Sequence, residues 1–256
     1  MEAWEYRKDE ERVADSLPTF IIFCEDEVSE PEYFRSFQTD FIKVNPIGKQ
    51  KSKIINVLNA IAHCVNEGLT SVVDGKHTIT SNDINVWCVF DRDGKRDDEG
   101  VKFEDISFNE AIETAQNKGI KVAWSNDAFE LWVLLHFEDV DPNVDNTRER
   151  TYYYDRLTDI FQNMPNQGKA QRRLTDFMGF YYKTNMKGKT NFKEVVLPSI
   201  IDNTITAIQR AKSLVTHHNQ FTDKALHEKA PCTMVHELVE ELIRLGKKKE
   251  YLHLIE

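Results

Sequence analysis

The 256-residue chain carries 33 Lys+Arg against 43 Asp+Glu, a formal charge of −10, which excludes a generally basic nucleic-acid coat. At 40% hydrophobic and 30% charged, with 10 Gly and 7 Pro, it lies outside the disordered, collagen-like and low-complexity classes and can build a real core. The length allows one large domain or two small ones. Residues 1–16 are rich in Glu, Asp, Lys and Arg, the opposite of a secretory signal, and the longest apolar runs fall far short of a bilayer span. Cys24, Cys64, Cys88 and Cys232 are irregularly spaced with no CxxC pair, so they read as reduced, buried thiols. The expectation is a cytoplasmic protein without a membrane helix.

Thr19–Cys24 is an uninterrupted apolar run between Pro18 and Glu25-Asp26-Glu27, the pattern of a strand buried on both faces. Ser29-Glu30-Pro31-Glu32 then reads as an S-x-x-E capping box opening a helix through about Phe37. Phe41–Pro46 is a second extended piece, followed by helical spacing of Ile54, Val57, Leu58, Ile61 and Val65 that stops at Gly68. Asp83–Phe90 is a third strand, ending on Asp91-Arg92-Asp93-Gly94. Ser107-x-x-Glu110 caps a helix closed by Gly119, and Ile120–Trp124 is a fourth strand. Asp127-x-x-Glu130 caps the next helix through about Phe137. This alternation predicts an α/β domain over 19–140, a mostly parallel sheet flanked by helices, after a charged N-terminal arm over 1–18. Beyond residue 140 the strands stop, 141–150 reads as a linker, and 141–256 reads as a helical extension including Val195–Val215 and Met234–Leu245.

Glu25 sits past the carboxyl end of the first strand, and Asp91 and Asp93 past that of the third, where open α/β sheets bind ligands. On an extended segment Asp91 and Asp93 point the same way and Arg92 points away. Three carboxylates gathered there repel one another, and a hard cation such as Mg2+ or Mn2+ relieves that repulsion better than zinc would. The competing reading is that Asp-Arg-Asp-Gly is an ordinary turn; Gly94 stands too early for an EF-hand loop. Glu27 and Glu30 read mainly as turn and helix-start residues, and His136 as a core histidine. His236-Glu237-Leu238-Val239-Glu240 lacks the second histidine of a zinc motif.

Three ordered blocks resemble the RloB-like proteins. They are Cys24 through Phe34, Val86 through Asp93, and Trp124 through Trp132 followed by His136-Phe137, with weaker blocks at Tyr182-Lys183 and Ala230 through Val235. That resemblance implies a Toprim-like core, with Glu25, Asp91 and Asp93 as metal ligands for Mg2+ or Mn2+ and a catalytic set that adds Glu130. It also implies phosphoryl transfer, and the association of such proteins with prokaryotic defence and restriction loci favours a nuclease. Asp26 stands where the family pattern usually has Gly, which implies a different turn beside Glu25.

Between Asn163 and Lys193 the chain is locally basic, with aromatics interleaved. Arg172, Arg173, Lys183, Lys187 and Lys189 are the candidate nucleic-acid contacts, while Phe177 and Phe180 read as core. Lys49, Lys51 and Lys53 form a smaller patch at a helix start. The leading expectation is therefore a metal-dependent endonuclease acting on DNA or RNA, a structured RNA such as tRNA included, with a defence-system partner protein and an oligomer both open. The alternative is a non-catalytic binding or regulatory subunit, favoured by the acidic charge and by the missing GxxxxGK[ST] motif. Nucleotidyl transfer is a third, weaker reading.

Overall fold

The computed structural model describes residues 17–51, 53–73, 76–80, 82–93, 103–165 and 167–247. The charged arm expected over 1–18 therefore lies outside the described residues apart from its last two, and so does Gly94. In chain order the first half runs β1 (Thr19–Cys24), α1 (Ser29–Arg35), β2 (Lys43–Ile47), α2 (Lys53–Asn66), β3 (Thr70–Val73), β4 (Lys76–Ile79), β5 (Ile84–Asp91), α3 (Phe103–Asn117), β6 (Lys121–Asn126) and α4 (Glu130–Leu135). Five strands form one sheet, and β2, β1, β5 and β6 lie parallel in that spatial order. The remaining pair, β3 and β4, is a separate antiparallel hairpin. The sequence reading did not predict it; Val72 of β3 is 62% exposed, so this short run lacks the continuous burial that marks β1 and β5.

Alternation along β1 and β5 explains why both faces are covered. Phe20, Ile22, Trp87 and Val89 point to one layer, with Tyr33, Phe34, Leu131 and Trp132 from α1 and α4. Ile21, Phe23, Val86, Cys88 and Phe90 point to the other, with Val57 of α2 and Phe108 and Ile112 of α3. All four cysteines are free and buried. Among the described residues no helix is long and apolar enough to cross a membrane.

The second half is α5 (Arg150–Asn163), α6 (Lys169–Thr175), α7 (Tyr182–Asn185), α8 (Lys189–Asn191), α9 (Leu197–Ile200), α10 (Thr204–His218), β7 (Cys232–Thr233) and α11 (Val235–Leu245). The helix expected over Val195–Val215 is broken into a π-helical turn at Phe192–Val196, α9 and a 3-10 turn at Ile201–Asn203 before α10 begins. Pro198, which has no N–H to donate, lies within that break. Strands do not stop at residue 140 as expected, because β7 pairs antiparallel with the end of β6, Ser125 opposite Thr233. The helical half also shares one core with the sheet, since Tyr153, Leu157, Phe161, Ile208 and Leu238 belong to the same buried cluster as Phe20 and Trp132.

Candidate functional site at the strand ends

The parallel register of β1 against β5 pairs Cys24 with Val89, which sets Glu25 beside Asp91. Glu25 continues the ladder through its own N–H to the Val89 carbonyl, 3.1 Å, and its Oε2 accepts the Asp91 N–H at 3.0 Å. Asp91 is the last residue of β5, and its Oδ2 accepts the Phe129 N–H at 3.0 Å, at the entrance to α4. Its Oδ1 is buried and, among the described residues, has no hydrogen-bond partner. Asp93 is not extended as the sequence suggested but sits in the left-handed region at φ 56°, which curls its carboxyl back toward Glu25. Burial, and then Asp93, push the Glu25 carboxyl up to about 8, with a side-chain hydrogen bond between the two acids adding to the rise. Burial, followed by the charges of Glu30, Glu25, Asp93 and Glu130, also raises Asp91 well above the usual carboxylate range. Three acids have thus been brought together at adjacent strand ends, in part at the cost of their charge.

A second ring of side chains surrounds them. Asp26 is not at positive φ; its carboxylate accepts the N–H groups of Glu27 and Ser29, each at 2.7 Å, and Glu30 Oε2 accepts the Asp26 N–H at 3.2 Å. The expected Ser29–Glu32 capping box is not formed: Val28 is the N-cap of α1 with no side-chain cap, Asp26 and Glu30 brace the turn before it, and among the described residues the Ser29 hydroxyl is buried without a partner. Glu32 instead gathers Arg35 at 2.8 Å, Lys189 at 3.4 Å and Lys193 at 3.5 Å; these cations outweigh its burial and lower its pKa. Glu130 is buried at the start of α4, and its Oε1 is held by Lys187 at 2.8 Å. Nor does Asp127 cap α4. It sits at φ 97° and faces Arg150 of α5, whose Nη2 lies 2.9 Å from Asp127 Oδ1 and 2.6 Å from Asp93 Oδ1. Arg92 points away from the acids, as the alternation requires, to Asp105 at 2.7 Å and Asn126 at 3.1 Å.

Would this set take a divalent cation? A buried carboxylate oxygen without a donor is costly, on the order of 1–3 kcal/mol, and Asp91 Oδ1 is such an atom. All the nearby donors are carboxylate oxygens, which suit Mg2+ or Mn2+. The chemistry fits, but the atoms are not in a finished cage. Among the described residues no group of three or more His, Cys, Asp or Glu side chains is spaced to hold a metal. Glu25 Oε2, Asp91 Oδ2 and Asp93 Oδ1 are each engaged with a protein donor.

The expected basic contacts divide. Arg172 and Arg173 are exposed on α6, and Lys189 is largely exposed on α8. Lys183 is exposed, with its Nζ 5.4 Å from the Tyr154 ring centre. Lys187 is mostly taken up by Glu130, and its pKa is raised by that pairing and by Tyr154 against the opposing effect of burial. Phe180 is core as expected, but Phe177 is not; it is 60% exposed, beside Met178 at 96%. Lys49 and Lys51 before α2, and Lys53 as its first residue, all adopt positive φ, and Lys53 lies near enough to Glu25 to oppose the rise in its pKa. His136 is a core residue, bonded through Nδ1 to the Trp132 carbonyl at 2.9 Å and through Nε2 to Tyr33 Oη at 3.3 Å.

Sequence reasoning missed Arg150 and Asp127 as parts of the site. Asp127 carried a signal, being an acid just past a strand end like Glu25 and Asp91, but its spacing to Glu130 imitated a cap. Arg150 carried none, since it lies in a polar run read as a linker. A family model described as RloB-like protein matches residues 20–242. No curated protein and no solved structure matches the chain.

Proposed function

Because the chain belongs to the RloB-like family, we propose that it is a metal-dependent nuclease of the Toprim type, cleaving DNA or RNA phosphodiesters in prokaryotic antiviral defence. The observation that carries this reading is the convergence of Glu25, Asp91 and Asp93 at neighbouring parallel strand ends, with Asp91 Oδ1 buried and unpaired. Asp91 and Asp93, with Glu25, would hold Mg2+ or Mn2+, which supplies charge neutralisation at the phosphate and a lowered pKa for attacking water. The chain supplies the rest. The Phe129 N–H fixes the Asp91 carboxylate, and the Asp91 N–H fixes Glu25, so both acids are oriented before substrate arrives. Burial and then the neighbouring Asp93 raise the Glu25 carboxyl, which strengthens it as a proton acceptor toward water. Glu130, neutralised by Lys187, positions α4 and through it the Phe129 amide. Exposed Arg172, Arg173 and Lys189 would track the phosphates of the nucleic acid.

The test is incubation of the purified chain with labelled duplex DNA, single-stranded DNA and total RNA, in Mn2+, Mg2+ or EDTA, beside Asp93→Ala. Cleavage of one class that needs the metal and vanishes in the variant is expected, and retained cleavage in the variant would sink the mechanism. One observation favours a second reading, a non-catalytic binding or regulatory subunit. The Arg150–Asp93 ion pair, 2.6 Å, sets a protein cation against part of the acidic cluster. A wild-type chain that takes up neither Mn2+ nor Mg2+ in calorimetry would select it.

A further inference from the structure

Arg150 is tied to the strand ends unequally. On one side Asp127, buried and at positive φ, receives its Nε at 3.1 Å and its Nη2 at 2.9 Å, accepts its backbone N–H through Oδ2, and lends its carbonyl oxygen to the same guanidinium. On the other side a single contact, Nη2 to Oδ1 at 2.6 Å, reaches Asp93, whose side chain is 39% exposed. We infer that Arg150 is the phosphate-binding residue of the site, anchored on Asp127, paired with Asp93, and freed from that aspartate for the substrate once a divalent cation takes it. This rests on the metal-dependent reading above.

Three arguments carry it. Exchanging the Asp93 contact leaves the several bonds to Asp127 in place, so the guanidinium stays aimed at the same spot. A guanidinium presents donors in a planar fork that matches phosphate, and this one is 31% exposed, open enough to meet a ligand. A cation and a guanidinium that share Asp93 Oδ1 also compete for it and repel one another, so each must weaken the other's hold. The opposite possibility has a clear signature. If Arg150 only oriented Asp93 as a ligand, as outer partners of metal ligands do, its removal would weaken cation binding about 10- to 100-fold.

The experiment titrates the full chain with Mn2+ in a calorimeter, as wild type, Arg150→Gln and Arg150→Lys. Binding of a fluorescein-labelled duplex is then followed against salt, in Ca2+ and in EDTA. Arg150→Gln should bind Mn2+ roughly fivefold tighter, the equivalent of one partly exposed ion pair. Arg150→Lys should fall between it and the wild type, and it carries the test if the Gln variant does not fold. In Ca2+ the slope of log affinity against log salt should drop by about 1 in Arg150→Gln, with no drop in EDTA. Equal or weaker Mn2+ binding by the variants, or a slope change independent of cation, overturns the inference while leaving the metal reading intact. No Mn2+ binding by the wild type overturns the metal reading and this inference with it.

Discussion

Asp91 shows how one residue serves fold and site together. Oδ2 closes the entrance to α4 through the Phe129 N–H, while Oδ1 is buried without a donor. Asp91→Asn keeps the shape and removes the charge. Mn2+ affinity and cleavage should fall by more than about 100-fold, beyond the loss typical of an outer partner. The melting temperature should hold or rise, because a raised buried carboxyl no longer repels Glu30 and Glu25. Enzyme assay and calorimetric melting check the two halves separately. His136 gives a pH test remote from these acids. Burial pushes its imidazole down to about 4, so the folded protein keeps it neutral where an unfolded chain, titrating near 6.5, takes a proton. Its contribution to stability is therefore complete above about 6.5 and is lost as pH falls toward 4, amounting to about 2 kcal/mol by pH 5. NMR titration should place the His136 midpoint near 4, and a midpoint near 6.5 would contradict this packing.

The four parallel strands and the helices between them were legible because their signals are local. A strand buried on both faces must be a continuous apolar run, and β1 and β5 are such runs. Acids following them at the carboxyl ends then located Glu25 and Asp91 without a structure. Caps were less legible, because a Ser29-x-x-Glu32 spacing fits a capping box that the chain does not form. Asp26 and Glu30 instead brace the turn before α1, and Glu32 is left to collect Arg35, Lys189 and Lys193. Asp26→Ala should accordingly cost about 1 kcal/mol in denaturant unfolding, the usual net value of a lost hydrogen bond, whereas Ser29→Ala should cost almost nothing. Equal effects of the two would contradict this arrangement.

At the scale of the whole molecule, sequence patterns gave out where contacts become non-local. Nothing near Cys232–Thr233 announces a strand, since its partner β6 lies 108 residues away, joined by Ser125 Oγ to Thr233 Oγ1 at 3.1 Å. Separation along the chain also hid Arg150 and the pairing of Lys187 with Glu130, which the helical half carries up to acids of the sheet. Charges legible as one basic stretch thus divide into two jobs. Arg172→Ala with Arg173→Ala should weaken oligonucleotide binding, lowering the salt slope by up to about 2 with the melting temperature unchanged. Lys187→Ala should instead destabilise the fold, by about 3 kcal/mol, because it leaves Glu130 buried without its partner. Salt-dependent binding and chemical unfolding on the two variants separate these jobs. Anomalous diffraction from crystals soaked in Mn2+ decides whether Glu25, Asp91 and Asp93 form a divalent-cation site. A peak is expected at about 2.1 Å from Asp91 Oδ1, a metal–oxygen bond length. Its absence there, or a peak only at other acids, would contradict such a site.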